Sequence, residues 1–294
     1  MPENALTLEP AVRDQMVETK VTCPFLGSVV HQDLLPVSNA PDNPLAGIED
    51  VRRLGNEGGG DLGDLLVFFA TGNHAFMRGG SGLALDAPVP AGRFSLELPG
   101  SQGSHPGHSG ILQGDPTVLA SGRLSQPDFD RLASFASNGL LKRSDVGRFI
   151  AQNLRKDPKA KVAQARVAEL LARDLTGVVH AVAAKVVSTI TGNGGGGTSG
   201  GEVEQKLTKL LGEDNLVGSC GEFGLLFAFL SNDPATQLLG GEPALSLDRV
   251  REMFIAKELP RGWQNWKKSR ADWVLHTTHL LVSAASEYHR LAPK

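Results

Sequence analysis

Two cysteines stand in this chain of 294 residues, and one of them, Cys23, directly precedes a proline in "TCPFLG", where an apolar stretch begins. Proline is favoured at the first position of a helix, because its missing N–H would be unpaired there in any case. Cys23 therefore falls at or beside a helix N-cap, among free backbone N–H groups and the positive end of the helix dipole. That setting lowers a thiol pKa and favours the thiolate, the form that ligates metals or attacks electrophiles. The plain alternative is a small buried hydrophobe. Zinc is disfavoured, since no second Cys or close His pair completes a ligand set. A cysteine hydrolase would need a His and an Asn or Asp at unknown distance, and eight histidines leave that reading open.

Other residues with chemical potential lie further along. "GSCGEFGLLF" sets Glu222 before an apolar run, with Cys220 two residues earlier. On spacing alone Glu222 is a helix-start glutamate serving the dipole. "GSHPGHSGIL" places His105 and His108 in a Gly- and Pro-rich loop, where solvent-exposed histidines are the plain reading, and His74 in "GNHAFMRGG" reads as a core or cap histidine. Phe68, Phe69, Phe76, Phe223, Phe227 and Phe229 fit ordinary core packing at their spacings, or the walls of an apolar channel.

The elements that must position these residues are mostly helical. Phe25, Leu26, Val29, Val30 and Leu34 form one stripe of a short helix, with Pro36 beyond its end. Residues 61–77 are apolar enough for a buried helix, and "RFSLEL" alternates as a short strand. Helical patterns return at residues 127–141 and again in "KRSDVGRFIAQNLRKDP", where Ser144 is the expected N-cap and the basic residues suit the C-terminal end. Residues 159–190, 202–232, 246–258 and "ADWVLHTTHLLVSAASEYHRL" read as further helices. The expected architecture is mainly α: one domain over residues 1–294 with long irregular loops, a Gly-rich loop at 191–201 and a C-terminal helical extension at 266–294.

Composition narrows the function classes. Charged residues make up 21% and the formal net charge is -3, with no basic footprint for nucleic acid and no polybasic membrane stretch. No apolar run reaches the roughly 18 to 20 residues of a membrane span. "MPENALTLEPAVRDQ" lacks the basic and apolar regions of a signal peptide, and two cysteines make no disulfide framework, so a cytoplasmic setting is expected.

Three stretches in order resemble the haem-thiolate peroxidases, the family of the chloroperoxidases and unspecific peroxygenases. "CPFLGSVVHQDLLP" resembles their Pro-Cys-Pro helix opening, whose cysteine ligates the haem iron. "ILQGDPTVLASGRLSQPDFDRLASF" is similar to their acidic motif (Glu-Gly-Asp or Glu-His-Asp, then Ser) and the helix after it, and "SLDRVREMFIAKELPRGW" to their closing segment. Order and separations agree over about residues 20–265.

The resemblance implies a chloroperoxidase-like helical fold, with haem b on the Cys23 thiolate and Pro24 and Phe25 continuing the cofactor-binding segment. It implies hydrogen peroxide and a small organic substrate as reactants, and Glu222 as distal acid/base. One of His105 and His108 would face that pocket. Gln113, Gly114, Asp115 and Thr117 fall on the motif that holds a magnesium ion beside a haem propionate.

Departures stand beside the matches. Thr22 replaces the first proline, Gln113 replaces the motif's Glu and weakens any Mg²⁺ site, and Asn215 occupies the place of the arginine that assists the glutamate. A non-catalytic protein of the same fold that binds haem or another small ligand is the alternative these departures imply.

Overall fold

The computed structural model of the chain describes residues 8–38, 44–76, 92–99, 110–113, 122–162, 214–233 and 242–292. Within them the protein is mainly α, as its sequence pattern implies. Of the expected helices over 159–190, residues 159–162 are turn and irregular chain; the rest, the Gly-rich loop at 191–201 and the beginning of the 202–232 helix lie outside the described residues.

Helix starts follow local chemistry. Helix α1 (Pro10–Thr19) and helix α2 (Pro24–His31) both open on proline. After α2 the chain turns through Asp33 in a left-handed conformation (φ 56). Leu34 then donates its N–H back to the Val29 carbonyl at 2.8 Å, so it lies past the helix and not within it. Strands β1 (Val37–Ser38) and β2 (Leu45–Gly47) lead into helix α3 (Ile48–Gly55) and helix α4 (Gly63–Asn73). Arg52 on α3 is ion-paired to Asp64 on α4 at 2.7 Å. Strand β3 (His74–Phe76) pairs with β4 (Arg93–Pro99), the alternating stretch expected to be a strand, in an antiparallel sheet of order β1-β2-β4-β3.

Helix α5 (Gln126–Ala133) ends well before residue 141, because a turn follows it and Leu140–Lys142 becomes strand β5. Helix α6 (Arg143–Lys156) is capped at Lys142 rather than Ser144: the Asp145 carboxylate reaches back to accept from the Lys142 N–H at 3.0 Å. Helix α7 (Asn215–Leu230) has Asp214 as N-cap, its side chain accepting from Leu216 N at 3.0 Å and Val217 N at 3.1 Å. Strand β6 (Ala244–Ser246) pairs antiparallel with β5. Helix α8 (Leu247–Arg251) then widens into a π-helical turn, Glu252–Ala256, which closes on Lys257 in the left-handed region (φ 56, ψ 42). Helix α9 (Arg270–Arg290) is capped by Ser269, whose hydroxyl accepts from Asp272 N at 3.1 Å.

The core centres on α7, packed against α9 and α6. Phe223 of α7 meets Phe149 of α6 edge-on at 6.3 Å, and Phe227 stacks on His276 of α9 at 5.3 Å. Trp273 of α9 donates its indole N–H to the Gly221 carbonyl at 2.9 Å. Burial pushes the His276 imidazole down to about 4, aided by the nearby Arg143 charge. Two glycines let the helices approach: Gly147 faces Ser283, and Gly224 faces Thr277. A Cβ on Gly224 would lie 3.1 Å from both the Cα and Cβ of Thr277, closer than ordinary contacts allow. Gly224→Ala should therefore destabilise the fold by about 1–3 kcal/mol, the usual cost of overpacking. Chemical denaturation checks it, and a midpoint equal to wild type would show that the α7–α9 contact yields freely.

Candidate functional site

Cys23 is the N-cap residue of α2, in an extended conformation (φ -79, ψ 122) with Pro24 at the first helical position. From Pro24 to Val30 the helix is buried throughout. The cysteine forms part of the wall of an apolar cavity enclosing about 550 Å³ of empty space, part of it open to solvent. Pro24 and Phe25 line it beside Cys23; Leu66 and Phe69 come from α4, and Met253 and Phe254 from the π turn. Helix α7 completes the wall with Glu222, Phe223, Leu225, Leu226 and Phe229. Phe25 packs edge-on against Phe229 at 5.4 Å, which ties the start of α2 to the last turns of α7.

The polar character of the lining is concentrated in the Cys23 thiol and the Glu222 carboxylate. Glu222 is buried and sits two turns into α7, where Asp214 already caps the helix. It is therefore not the helix-start glutamate that spacing alone suggested. Cys220 points elsewhere, fully buried in the core, with burial holding its thiol well above the ordinary range.

The Cys23 thiol departs from the expectation drawn from helix physics. Burial pushes it up to about 11, and the Glu222 carboxylate adds to the rise. The N–H groups of Leu26 and Phe25 pull in the opposite sense, as does the Lys257 ammonium, although Cys23 closes no side-chain cap hydrogen bond. A helix N-terminus lowers a thiol pKa where water still reaches the sulfur; in an apolar cavity desolvation outweighs it. Lys257, depressed by its own burial to about 8, is the nearby cation. Without a metal the sulfur is a neutral thiol at pH 7. A bound metal cation deprotonates a coordinating thiol outright and supplies the missing counter-charge.

These features fit a haem. One soft sulfur donor faces an apolar space, backbone N–H groups lie beside it, and a carboxylate shares the same cavity. Cys23 would hold the iron, with Pro24, Phe25, Leu66 and Met253 as apolar walls of the same cavity. The other anticipated residues divide sharply. Gln113 is exposed, with its backbone N–H donated to the Arg123 carbonyl at 2.7 Å. Gly114, Asp115 and Thr117 lie outside the described residues, as do His105 and His108. Among the described residues, no group of three or more His, Cys, Asp or Glu is placed to hold a metal ion. Asn215, two turns from Glu222, turns its side-chain carbonyl to the Lys161 N–H. Of the phenylalanines, Phe69, Phe223 and Phe229 line the cavity, whereas Phe227 is core. The side chains of Phe68, His74 and Phe76 lie outside the description.

Sequence reasoning missed Leu66, Met253, Phe254 and Lys257. The stretch "MFIAK" carries three of them, but its π geometry gives no periodic signal. Among the described residues, no helix is long and apolar enough to cross a membrane. No family model, curated protein or solved structure matches this chain.

In a Cys220→Ala background, thiolate absorbance of the haem-free protein should titrate near 11 for Cys23. Glu222→Gln should move that midpoint downward, because the carboxylate that opposes the thiolate is gone. An unmoved midpoint would show that the two groups are not in electrostatic contact across the cavity.

Proposed function

We propose that the chain is a haem-thiolate peroxidase or peroxygenase, working in the cytoplasm with hydrogen peroxide on a small organic substrate. The observation that carries this reading is the convergence of Cys23 and Glu222, far apart in sequence, on one apolar cavity. They are the two residues that the sequence resemblance implies as iron ligand and as distal acid/base.

When bound, haem supplies peroxide-driven oxidation at an iron whose thiolate ligand favours O–O cleavage. Cys23 would hold the haem iron through its sulfur, and the N–H groups of Leu26 and Phe25 favour its thiolate form. Glu222 is the proton carrier. With haem bound, its carboxylate would take the proton from one oxygen of hydrogen peroxide and return it to the other, which would leave as water, while the first oxygen provides the two-electron oxidation that the haem delivers to the organic substrate. Its place within a capped helix positions that carboxylate, and the rings of Phe69, Phe223 and Phe229 line the space beside it. The same rings offer an apolar surface to an organic substrate.

A second reading has its own support in the neutral state of the thiol. A cavity with a protonated sulfur and apolar walls also suits an apolar ligand held without turnover. A cysteine hydrolase is disfavoured, because a thiol raised to about 11 is not a ready nucleophile and, among the described residues, no histidine lines the cavity.

Protein reconstituted with haemin should show the red-shifted Soret band of a thiolate ligand in its reduced CO complex, and Cys23→Ala should lose it. Glu222→Gln should keep the haem while peroxide turnover falls by roughly 10²–10⁴-fold, the usual contribution of a positioned acid/base. A chain that takes up no haemin overturns the proposal. Thiolate-ligated haem with no oxidation of a phenol or thioether favours the ligand-binding reading, and full turnover in Glu222→Gln removes Glu222 from its role.

A further inference from the structure

Lys268, two residues before α9, is buried completely. Its backbone carbonyl accepts from the Asp61 N–H at 3.0 Å and its Nζ donates to the Trp263 carbonyl at 2.9 Å, so both ends of the residue are held. The ammonium lies over two aromatic rings at once, 5.0 Å from the centre of Trp263 and 5.4 Å from that of Phe229. Both distances are within cation–π reach. The two rings also stack on each other, with centres 5.6 Å apart and planes 29° from parallel. Burial lowers the ammonium to about 8, which leaves it charged at neutral pH. Taking an ammonium out of water is costly, and a methionine of similar length would fill the space without that cost. The charge is best understood through the rings it faces.

Phe229 lines the cavity, and Trp263, itself buried, stacks on that ring from outside the lining. Since Phe229 also meets Phe25 edge-on at 5.4 Å, aromatic contact runs unbroken from Trp263 to the segment that bears Cys23. An indole gives up an electron far more readily than a benzene ring does. Trp263 is thus an oxidisable group one ring removed from the space where peroxide would react. A positive charge beside a ring makes loss of an electron from it harder, and more so in a low-dielectric interior. We propose that Lys268 shields the Trp263–Phe229 stack from oxidation, which keeps the oxidising power of peroxide in the cavity for the organic substrate. The inference rests on the haem-thiolate reading above. The reaction it suppresses is a two-electron one. Two electrons and two protons leave the Trp263 indole and one water adds to the ring, while hydrogen peroxide takes up those electrons and protons and becomes two waters. In sum Trp263 gains one oxygen atom and peroxide yields one water. Lys268 opposes the first electron loss, because the radical cation so formed would lie 5.0 Å from the ammonium.

The test treats full-length, haemin-loaded protein at pH 7 with hydrogen peroxide and no organic substrate, and reads oxygen added at Trp263 by peptide mass spectrometry. Trp273 is the internal reference, since it packs edge-on against another cavity residue, Phe69, at 6.4 Å. Lys268→Met and Lys268→Leu remove the charge, and Lys268→Arg keeps it. Relative to Trp273, oxidation of Trp263 should rise by about tenfold or more in the neutral variants, the scale of one charge at this distance in a protein interior. Lys268→Arg should stay at the wild-type ratio. The same order should hold in haem-free protein exposed to photogenerated tris(bipyridine)ruthenium(III), a one-electron oxidant. If folded neutral variants keep the wild-type ratio in either experiment while wild type shows thiolate-ligated haem, this proposal falls and the haem-thiolate reading stands. It also falls if Lys268→Arg behaves like the neutral variants, or if every neutral variant loses the fold, since Lys268 then acts only in packing. Wild type that binds no haemin through sulfur overturns the underlying reading, and this proposal with it.

Discussion

A helix can begin inside a protein only if its first N–H groups are accounted for, and α2 begins there. Pro24 removes one donor outright, and the next two fall beside a sulfur atom rather than water. Everything else about the cavity follows from that buried start. The residue before Pro24 must be extended, as residues before proline generally are, which turns Cys23 away from its own helix and into the space between α2, α4 and α7. The remaining helix face is then free to pack: Ser28 donates to the Met253 carbonyl, and Gln32 accepts from the Leu259 N–H, locking α2 to the π turn and the segment after it.

Electrostatics inside the cavity are arranged so that the Cys23 thiol is costly to ionise without help. Burial and mutual repulsion raise the cost of charge on the thiol, while the helix-start N–H groups and one amine lower it. Such a balance makes the ionisation of the sulfur depend on what else occupies the space. The same low dielectric that penalises charge also strengthens every interaction a bound cation would make with it.

Much of this was legible in the sequence, and the gaps have physical causes. Pro24 declared the start of α2, because proline's preference for the first helical turn is local chemistry. Alternation exposed β4, and long apolar patterns exposed α7 and α9. The end of α2 was not legible, since Asp33 carries no glycine-like signal for its left-handed turn. The cap of α6 passed from Ser144 to Lys142 because the decisive hydrogen bond comes from Asp145 reaching backward. Glu222 was singled out through resemblance and lines the cavity, yet its depth in the helix depended on Asp214 as cap, which the pattern left open. The direction of the Cys23 shift was missed for a deeper reason. Dipole effects can be read from neighbours in sequence, whereas desolvation is a property of the assembled walls.

Those walls are drawn from segments scattered along nearly the whole described chain, from Cys23 to Phe254. Contacts between residues so distant in sequence form late, after the loops between them have been closed at an entropic cost. The cavity has no existence in any half of the polypeptide, and no nascent chain can display it before the π turn has been synthesised. A ligand entering this cavity would thus meet a finished fold rather than a folding nucleus. Helices α6, α7 and α9 supply a core that does not depend on it.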